Sequence, residues 1–423
     1  MRVLFVSVPY KTHFQSMVPL AWALRTAGHE VRVASQPFFA DTITSAGLTA
    51  VPVGRNYDGL RPIKVFEVES DDGRAAFGMP MPYASSVMPP EDVTWDAMLT
   101  GYEDCLHWWH KPLNFPLIRG LVDFAQDWEP DLVIWEPVSY AGPIAAIACG
   151  AAHARLLWSV DAFAVARDHV RRLCSSDQVD PLTAWLGHYA RSYGSEFSEE
   201  LITGQFSIDP LPASLRMPAS DVHYVPMQYI PYGGTATVPK WLHSPPSRPR
   251  VALTLGVSAT DIYAGYSVSI PDILASLSDL DIEVVATIAE SHQSELGRVP
   301  DNVRVVSYVP LHALAPTCSA VINHTGPGTF FTIARYGVPQ VNVPWDFDEP
   351  ELARRSAAQG GSLELPVAQA TGPAVRAAVL RLLNEPSFRE GAVRLRDDML
   401  ALPTPNDLVP QLEELTTKYR GRP

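Results

Sequence analysis

The chain opens on short apolar runs that alternate with amphipathic stretches. Residues 2–9 form an apolar run that predicts a buried strand. Residues 18–27 read as a helix, with Pro19 in its first turn, where proline is tolerated, and Gly28 as its stop. A second strand is expected at 29–35 and a second helix at 38–46, ending at Gly47. A further apolar strand at 131–135 leads into the small-residue helix Ala141–Cys149. Strand, helix, strand, helix in sequence implies a parallel sheet covered on both faces. Between residues 56 and 129 the rhythm weakens and large apolar residues accumulate, among them Met79, Met81, Met88, Trp95, Trp108 and Trp109. This stretch predicts irregular helices and loops.

The rhythm breaks again at Pro231-Tyr232-Gly233-Gly234 and at Ser244-Pro245-Pro246-Ser247-Arg248-Pro249, a composition typical of a linker. It then restarts, with strands expected at 251–255, 283–288, 303–308, 320–323 and 340–343. Helices are expected near 271–277, at 311–318 and from the glycine turn to Tyr336, and a last amphipathic helix at 408–419. The predicted fold class is therefore α/β, two doubly wound Rossmann-like domains facing across a cleft. The expected boundaries are residues 1–230, a linker at 231–249, residues 250–402, and a terminal helix at 403–423 packing back on the first domain.

Composition narrows the function classes. With 423 residues and 47% hydrophobic positions the chain has material for two cores. No apolar run approaches the roughly 18–20 residues of a membrane-spanning helix, and residues 1–9 read as a strand rather than a signal peptide. Cys105, Cys149, Cys174 and Cys318 are far apart with no CxxC pair, which indicates neither a disulfide framework nor a zinc site. The expected location is the cytoplasm. Forty-six acidic against 32 basic residues give a formal charge of −14, so nucleic acid and anionic membranes are repelled. A phosphate-bearing ligand must then be held by backbone N–H groups, helix ends and neutral side chains.

Such a site is legible at Ala320-Val321-Ile322-Asn323-His324-Thr325-Gly326-Pro327-Gly328-Thr329-Phe330-Phe331, a strand running through a glycine turn into a helix. Glycines let the backbone approach an anion, and the helix start supplies unpaired N–H donors. No Gly-Lys-Ser/Thr follows, so it is not a P-loop. It nearly matches a dinucleotide fingerprint, with Asp346 near the distance of a ribose-binding acid, but Phe331 fills the third glycine position. An ordinary tight turn is the plainer alternative. His324, at the strand's carboxyl end, can donate to a diphosphate. His13 lies just beyond the first strand, and Glu136 just beyond the strand at 131–135, where ligands collect in open α/β sheets. A carboxylate on one ring nitrogen would fix the tautomer of a histidine base. Asp346-Phe347-Asp348 and Asp279-Leu280-Asp281 both spell DxD, which shows how cheaply that metal motif arises.

His324-Thr325-Gly326-Pro327-Gly328, with Tyr308-Val309-Pro310-Leu311 before it and Gly337-Val338-Pro339-Gln340 and Pro344-Trp345-Asp346-Phe347-Asp348-Glu349 after it, resembles the donor-binding signature of GT-B glycosyltransferases. Ser16-Met17-Val18-Pro19-Leu20, Ala27-Gly28-His29-Glu30-Val31 and Asp131-Leu132-Val133-Ile134-Trp135-Glu136-Pro137 extend the resemblance to actinomycete enzymes that attach deoxysugars to polyketides, such as macrolide desosaminyltransferases. The resemblance covers nearly the whole chain and is weakest at 56–125. It implies an inverting transfer of a deoxysugar or aminodeoxysugar from a dTDP-sugar to a hydroxyl of a polyketide-like aglycone, without a cofactor or a metal.

His13 would be the base and Glu136 its partner, where relatives often carry aspartate. Tyr308 would stack on the pyrimidine, with the Val309 backbone on its edge. Gly256 and Ser258 would complete a phosphate cradle with His324, Gly326, Gly328 and Thr329. Asp348 and Glu349 stand where relatives carry an Asp-Gln pair that grips sugar hydroxyls. Thr332 replaces the Glu with which UDP-using relatives bind the ribose 2′-hydroxyl, which suits a dTDP donor. The resemblance also implies a P450-like auxiliary protein docking in the region 56–116, unless that region is a lid over the acceptor. A homodimer is a further expectation. A two-domain NAD(P)-dependent oxidoreductase and a non-catalytic nucleotide-binding homologue are the competing readings.

Overall fold

The computed structural model describes residues 1–57, 77–256 and 266–421. Two parallel sheets organise it. In the first, seven strands lie side by side in the order Thr49–Pro52, Glu30–Ser35, Arg2–Val6, Leu132–Trp135, Ala152–Leu156, Phe206–Asp209 and Tyr224–Pro226. In the second, six lie in the order Val303–Val306, Glu283–Thr287, Arg250–Thr254, Ala320–Asn323, Gln340–Asn342 and Ser362–Glu364. The central strands are buried on both faces, as their unbroken apolar runs require. Each sheet has one place where the chain reverses its direction of winding. In the first sheet it lies between Arg2–Val6 and Leu132–Trp135, which pair from Val3↔Leu132 to Val6↔Trp135. In the second it lies between Arg250–Thr254 and Ala320–Asn323, paired from Ala320↔Val251 to Asn323↔Thr254. At such a point the two following loops part and leave a crevice beyond the strand ends.

Three local expectations need correction. The first helix spans Lys11–Thr26 and not 18–27, so Pro19 lies in its interior. Phe14, Met17, Val18, Ala21 and Leu24 form one buried stripe that runs straight past the proline, and burial of that stripe outweighs the missing N–H. His13 is thus a first-turn helical residue rather than part of a preceding loop. The region expected to be irregular carries helix Trp95–Cys105, capped by the Thr94 side chain, and helix Lys111–Trp128, joined by a π-helical turn at Leu106–His110. The helix expected at 311–318 divides into Leu311–Leu314 and a 3-10 turn, Ala315–Thr317, where Pro316 removes a donor. Among the described residues no helix is long and apolar enough to cross a membrane.

The two halves are closely packed. Phe330, Phe331, Ala334, Leu352, Leu395 and Met399 from the second half share a buried cluster with the core of the first. The Gln228 N–H donates to the Pro403 carbonyl at 2.7 Å, and Arg335 Nη1 donates to Gln228 Oε1 at 3.0 Å. The last helix, Pro405–Tyr419, opens on a capping box made by Thr404 and Asp407. It inserts Leu408, Val409, Leu412 and Leu415 into the cluster that holds Phe14 and Met17 of the first helix.

Candidate active site

The loops at the two winding reversals carry the side chains of interest. After Leu132–Trp135 the chain turns through Glu136, whose side chain is fully buried. Its carboxylate accepts from the backbone N–H of Val138 at 3.0 Å, from that of Val8 at 3.3 Å and from the Ser139 hydroxyl. These donors come from both strand ends, so Glu136 is fixed before any ligand arrives. Across the crevice, His13 places Nδ1 3.4 Å from Glu136 Oε2, an ion-pair distance without hydrogen-bond alignment. The other face of the His13 ring stacks on Trp158, with centroids 4.2 Å apart and planes at 26°. The imidazole therefore keeps one edge towards a carboxylate and is held flat by an indole.

Trp158 and Ser159 follow the strand Ala152–Leu156 and were not singled out by the sequence reading. The rule that located His13 and Glu136, a polar or aromatic residue just past a parallel strand, would have found them. Asp348, from the second half, faces Ser159 and His13. Burial raises its carboxyl above the usual range, and the Ser159 hydroxyl works against that rise. The structure thus brings His13, Glu136 and Asp348 together, two from one half and one from the other.

The second reversal holds His324. It is buried, and burial lowers its pKa to about 4, so the ring is neutral at pH 7. Two glycines make room for it. A Cβ on Gly326 would lie 2.2 Å from His324 Nε2, and one on Gly256 would lie 2.4 Å from Cε1. Thr325 adopts a left-handed backbone with φ +69°, steadied by its N–H donating to Asn323 Oδ1 at 2.7 Å. Asn323 in turn donates to Gln340 at 2.9 Å and Asn342 at 3.2 Å. Helix Pro327–Ala334 then starts without a side-chain cap, with Gly328 exposed and open space before it and Thr329 half-buried. The free N–H groups of that first turn, beside a neutral histidine, suit an anion.

The remaining expected site residues divide. Glu349 does not face water. Its Oε2 accepts from the N–H groups of Trp345 at 3.2 Å and Asp346 at 3.1 Å, and Oε1 stands 3.7 Å from His324 Nε2. Burial, and then the charge of Asp346, push its carboxyl well above the carboxylate range. Unfolded, it would ionise near its ordinary value. Its contribution to stability is therefore present at low pH and lost as pH rises through the folded value. Glu349→Gln keeps an acceptor for the two N–H groups and removes the ionisation. The variant should melt above wild type at pH 8, with the gap closing towards pH 5. A gap in melting temperature that is the same at both pH values would contradict a Glu349 carboxyl raised by burial.

Thr332 is buried. Its hydroxyl donates to the Gly328 carbonyl at 2.7 Å and meets the Tyr229 hydroxyl at 3.1 Å. Tyr308 is half-exposed, with its hydroxyl donating to the Gly233 carbonyl at 3.2 Å, and Val309 is buried. Ser258 lies outside the described residues. Of the apolar residues between 56 and 116, Met79, Met81, Met88, Trp95 and Trp109 pack against the core of the first half, whereas Trp108 is 46% exposed.

Comparison with known proteins adds the family. The N-terminal domain of the erythromycin biosynthesis protein CIII-like family matches residues 22–256, and its C-terminal domain matches residues 271–415. The chain is 46% identical over 433 residues to the 10-deoxymethynolide desosaminyltransferase of Streptomyces venezuelae, covering 100% of this chain and 99% of that protein. It is 44% identical over 430 residues to the tylactone mycaminosyltransferase of Streptomyces fradiae, covering 100% and 94%. Among solved structures, it superimposes on glycosyltransferase VinC in complex with dTDP with a TM-score of 0.86 and 37% identity, over 99% of this chain and 100% of that one. The spinosyn forosaminyltransferase SpnP gives 0.81 and 36%, with 99% of each chain covered.

Proposed function

Because this chain belongs to the erythromycin biosynthesis protein CIII-like glycosyltransferases, we propose that it moves a deoxysugar, often an aminodeoxysugar, from a dTDP-sugar to a hydroxyl of a polyketide aglycone, with inversion at the sugar carbon. The observation that carries the reading is the pair of histidines at the two winding reversals, each seated in its own crevice, in a chain whose relatives include desosaminyl and mycaminosyl transferases. Membership of this family leaves the NAD(P)-dependent oxidoreductase reading without support.

In this mechanism the acceptor hydroxyl lies on His13, which takes its proton as the oxygen attacks the sugar carbon. Glu136 offsets the charge appearing on the ring. The bond to the diphosphate breaks on the opposite side, and the departing negative charge falls to His324 and to the backbone N–H groups of Gly326, Gly328 and Thr329. Gly256 closes the other side of that cradle. Tyr308 and Val309 hold the thymine, and Asp348 lies towards the sugar, while Glu349, turned back on the Trp345 and Asp346 N–H groups, stands behind His324. Thr332, in place of a glutamate, is what favours deoxyribose. The experiment that tests the donor is calorimetric competition between dTDP and UDP. Tighter binding of dTDP is expected, and equal or tighter binding of UDP would overturn the donor assignment.

The packing of Met79, Met81, Met88, Trp95 and Trp109 against the core favours an acceptor wall over a docking surface for that stretch. An auxiliary P450-like protein would instead dock on exposed Trp108 and Phe115, which lie seven residues apart, about two helical turns. Full turnover by the isolated enzyme, with no gain from such a protein, would retire the auxiliary role.

A further inference from the structure

The segment Trp345–Glu349 belongs to the second half of the chain, yet its middle residue sits among the rings of the first. Phe347 lies 5.9 Å from Tyr83, 5.4 Å from Trp109 and 5.7 Å from Phe163, centroid to centroid. Its backbone pairs with that of Gly78, in a two-strand ladder made by Asp346–Phe347 and Phe77–Gly78. Phe347 also has φ +35°, a conformation that bulky side chains rarely adopt. Such strain persists where surrounding contacts over-determine it, and it gathers at functional sites.

The rings continue towards His13. Phe163 lies 6.1 Å from Trp158, and Trp158 stacks on His13. Tyr83 and Phe163 are covered, whereas Trp158, Trp109 and Phe347 keep part of their faces open. Tyr83 is fixed from behind by its hydroxyl at 2.5 Å from His110 Nε2. An acceptor whose hydroxyl rests on His13 must lay its apolar body along this row, and the row ends on Phe347.

We propose that Phe347 selects the acceptor: the half of the enzyme that holds the donor supplies one wall of the aglycone site, so fit of the aglycone is read by both halves. The proposal rests on the glycosyl-transfer reading above and goes beyond it by naming a residue of the second half as the judge of acceptor shape. Loss of the ring removes apolar contact from the aglycone and leaves the diphosphate cradle in place.

The test follows Trp fluorescence during titration with 10-deoxymethynolide, tylactone and aklavinone, three acceptors that differ in size and flatness, alongside calorimetry with dTDP. Phe347→Ala should weaken aglycone binding about tenfold or more, by different factors for the three compounds, with dTDP affinity unchanged. Phe347→Leu, which keeps apolar bulk, should restore most of the lost affinity. Aglycone affinities that stay at wild-type values would overturn the proposal. So would an equal fall for all three accompanied by loss of dTDP binding, which would mark Phe347 as a support of the loop alone. A wild-type enzyme that binds dTDP but none of the three overturns the polyketide reading and this proposal together, whereas aglycone binding that ignores Phe347 overturns this proposal alone.

Discussion

Replacing His13 with alanine is expected to lower turnover by about 10²–10⁴-fold, the usual worth of a positioned general base, while dTDP affinity stays near that of wild type. The separation of the two effects follows from the geometry. His13 contacts Trp158 and Glu136, both in the first half, whereas the cradle around His324 is built from the second. Loss of the imidazole leaves a hole beside the Trp158 indole and does not alter the helix start at Gly326. Glu136→Gln should reduce the rate less. Its amide oxygen can take the place of Oε1 and keep the Val8 and Ser139 donors, while the bond from the Val138 N–H to Oε2 is lost together with the charge. Steady-state rates with a fixed aglycone and calorimetry with dTDP check both variants. Unchanged turnover in His13→Ala would remove His13 from the mechanism.

The second large effect is expected at a residue that carries no side chain. Gly326→Ala places a Cβ 2.2 Å from His324 Nε2. No real contact is that short, so the imidazole must leave its seat; on its other side the ring already fills the room that Gly256 gives, where a Cβ would lie 2.4 Å from Cε1. The variant should lose the His324 hydrogen bond to the diphosphate. Hydrogen bonds to charged groups are worth about 1.5–3 kcal/mol, which is roughly ten- to a hundredfold in dTDP affinity. His324→Ala should show a loss of the same order without the steric change. By contrast Gly328 has open space before it, its nearest neighbour being the Tyr229 hydroxyl at 3.9 Å. There a side chain would disturb a bound ligand rather than the protein. Equal dTDP binding by wild type, Gly326→Ala and His324→Ala would mean that the glycine turn is not the donor cradle.

Much of this site is legible in the sequence because it obeys short-range rules. Buried parallel strands read as unbroken apolar runs, and the crevice lies beyond their carboxyl ends. Locating the strands therefore locates His13, Glu136 and His324 as well. The start of the first helix is misread because Pro19 satisfies a local preference for a first turn, while the stripe from Phe14 to Leu24 that decides the matter is tertiary. Glu349 reads as a residue for the sugar, since no local pattern tells that its oxygens turn back to the Trp345 and Asp346 N–H groups. Phe347 is the extreme case. Its partners stand at 83, 109 and 163, and only the closing of the two halves brings them to it.

The last helix has a consequence for recombination between relatives. Enzymes of this kind invite hybrids in which one parent supplies the first half and another the second, joined between the two sheets. A single crossover there would bring Leu408, Val409, Leu412 and Leu415 from one parent onto Phe14 and Met17 from the other, a mismatch in the middle of an inherited core. The chain enters the second half once and leaves it again near Pro403, whose carbonyl takes the Gln228 N–H. A hybrid that respects this packing needs two crossovers, one between the two sheets and one just before Thr404. The first and last segments then descend from the same ancestor, and the second half is exchanged as an insert.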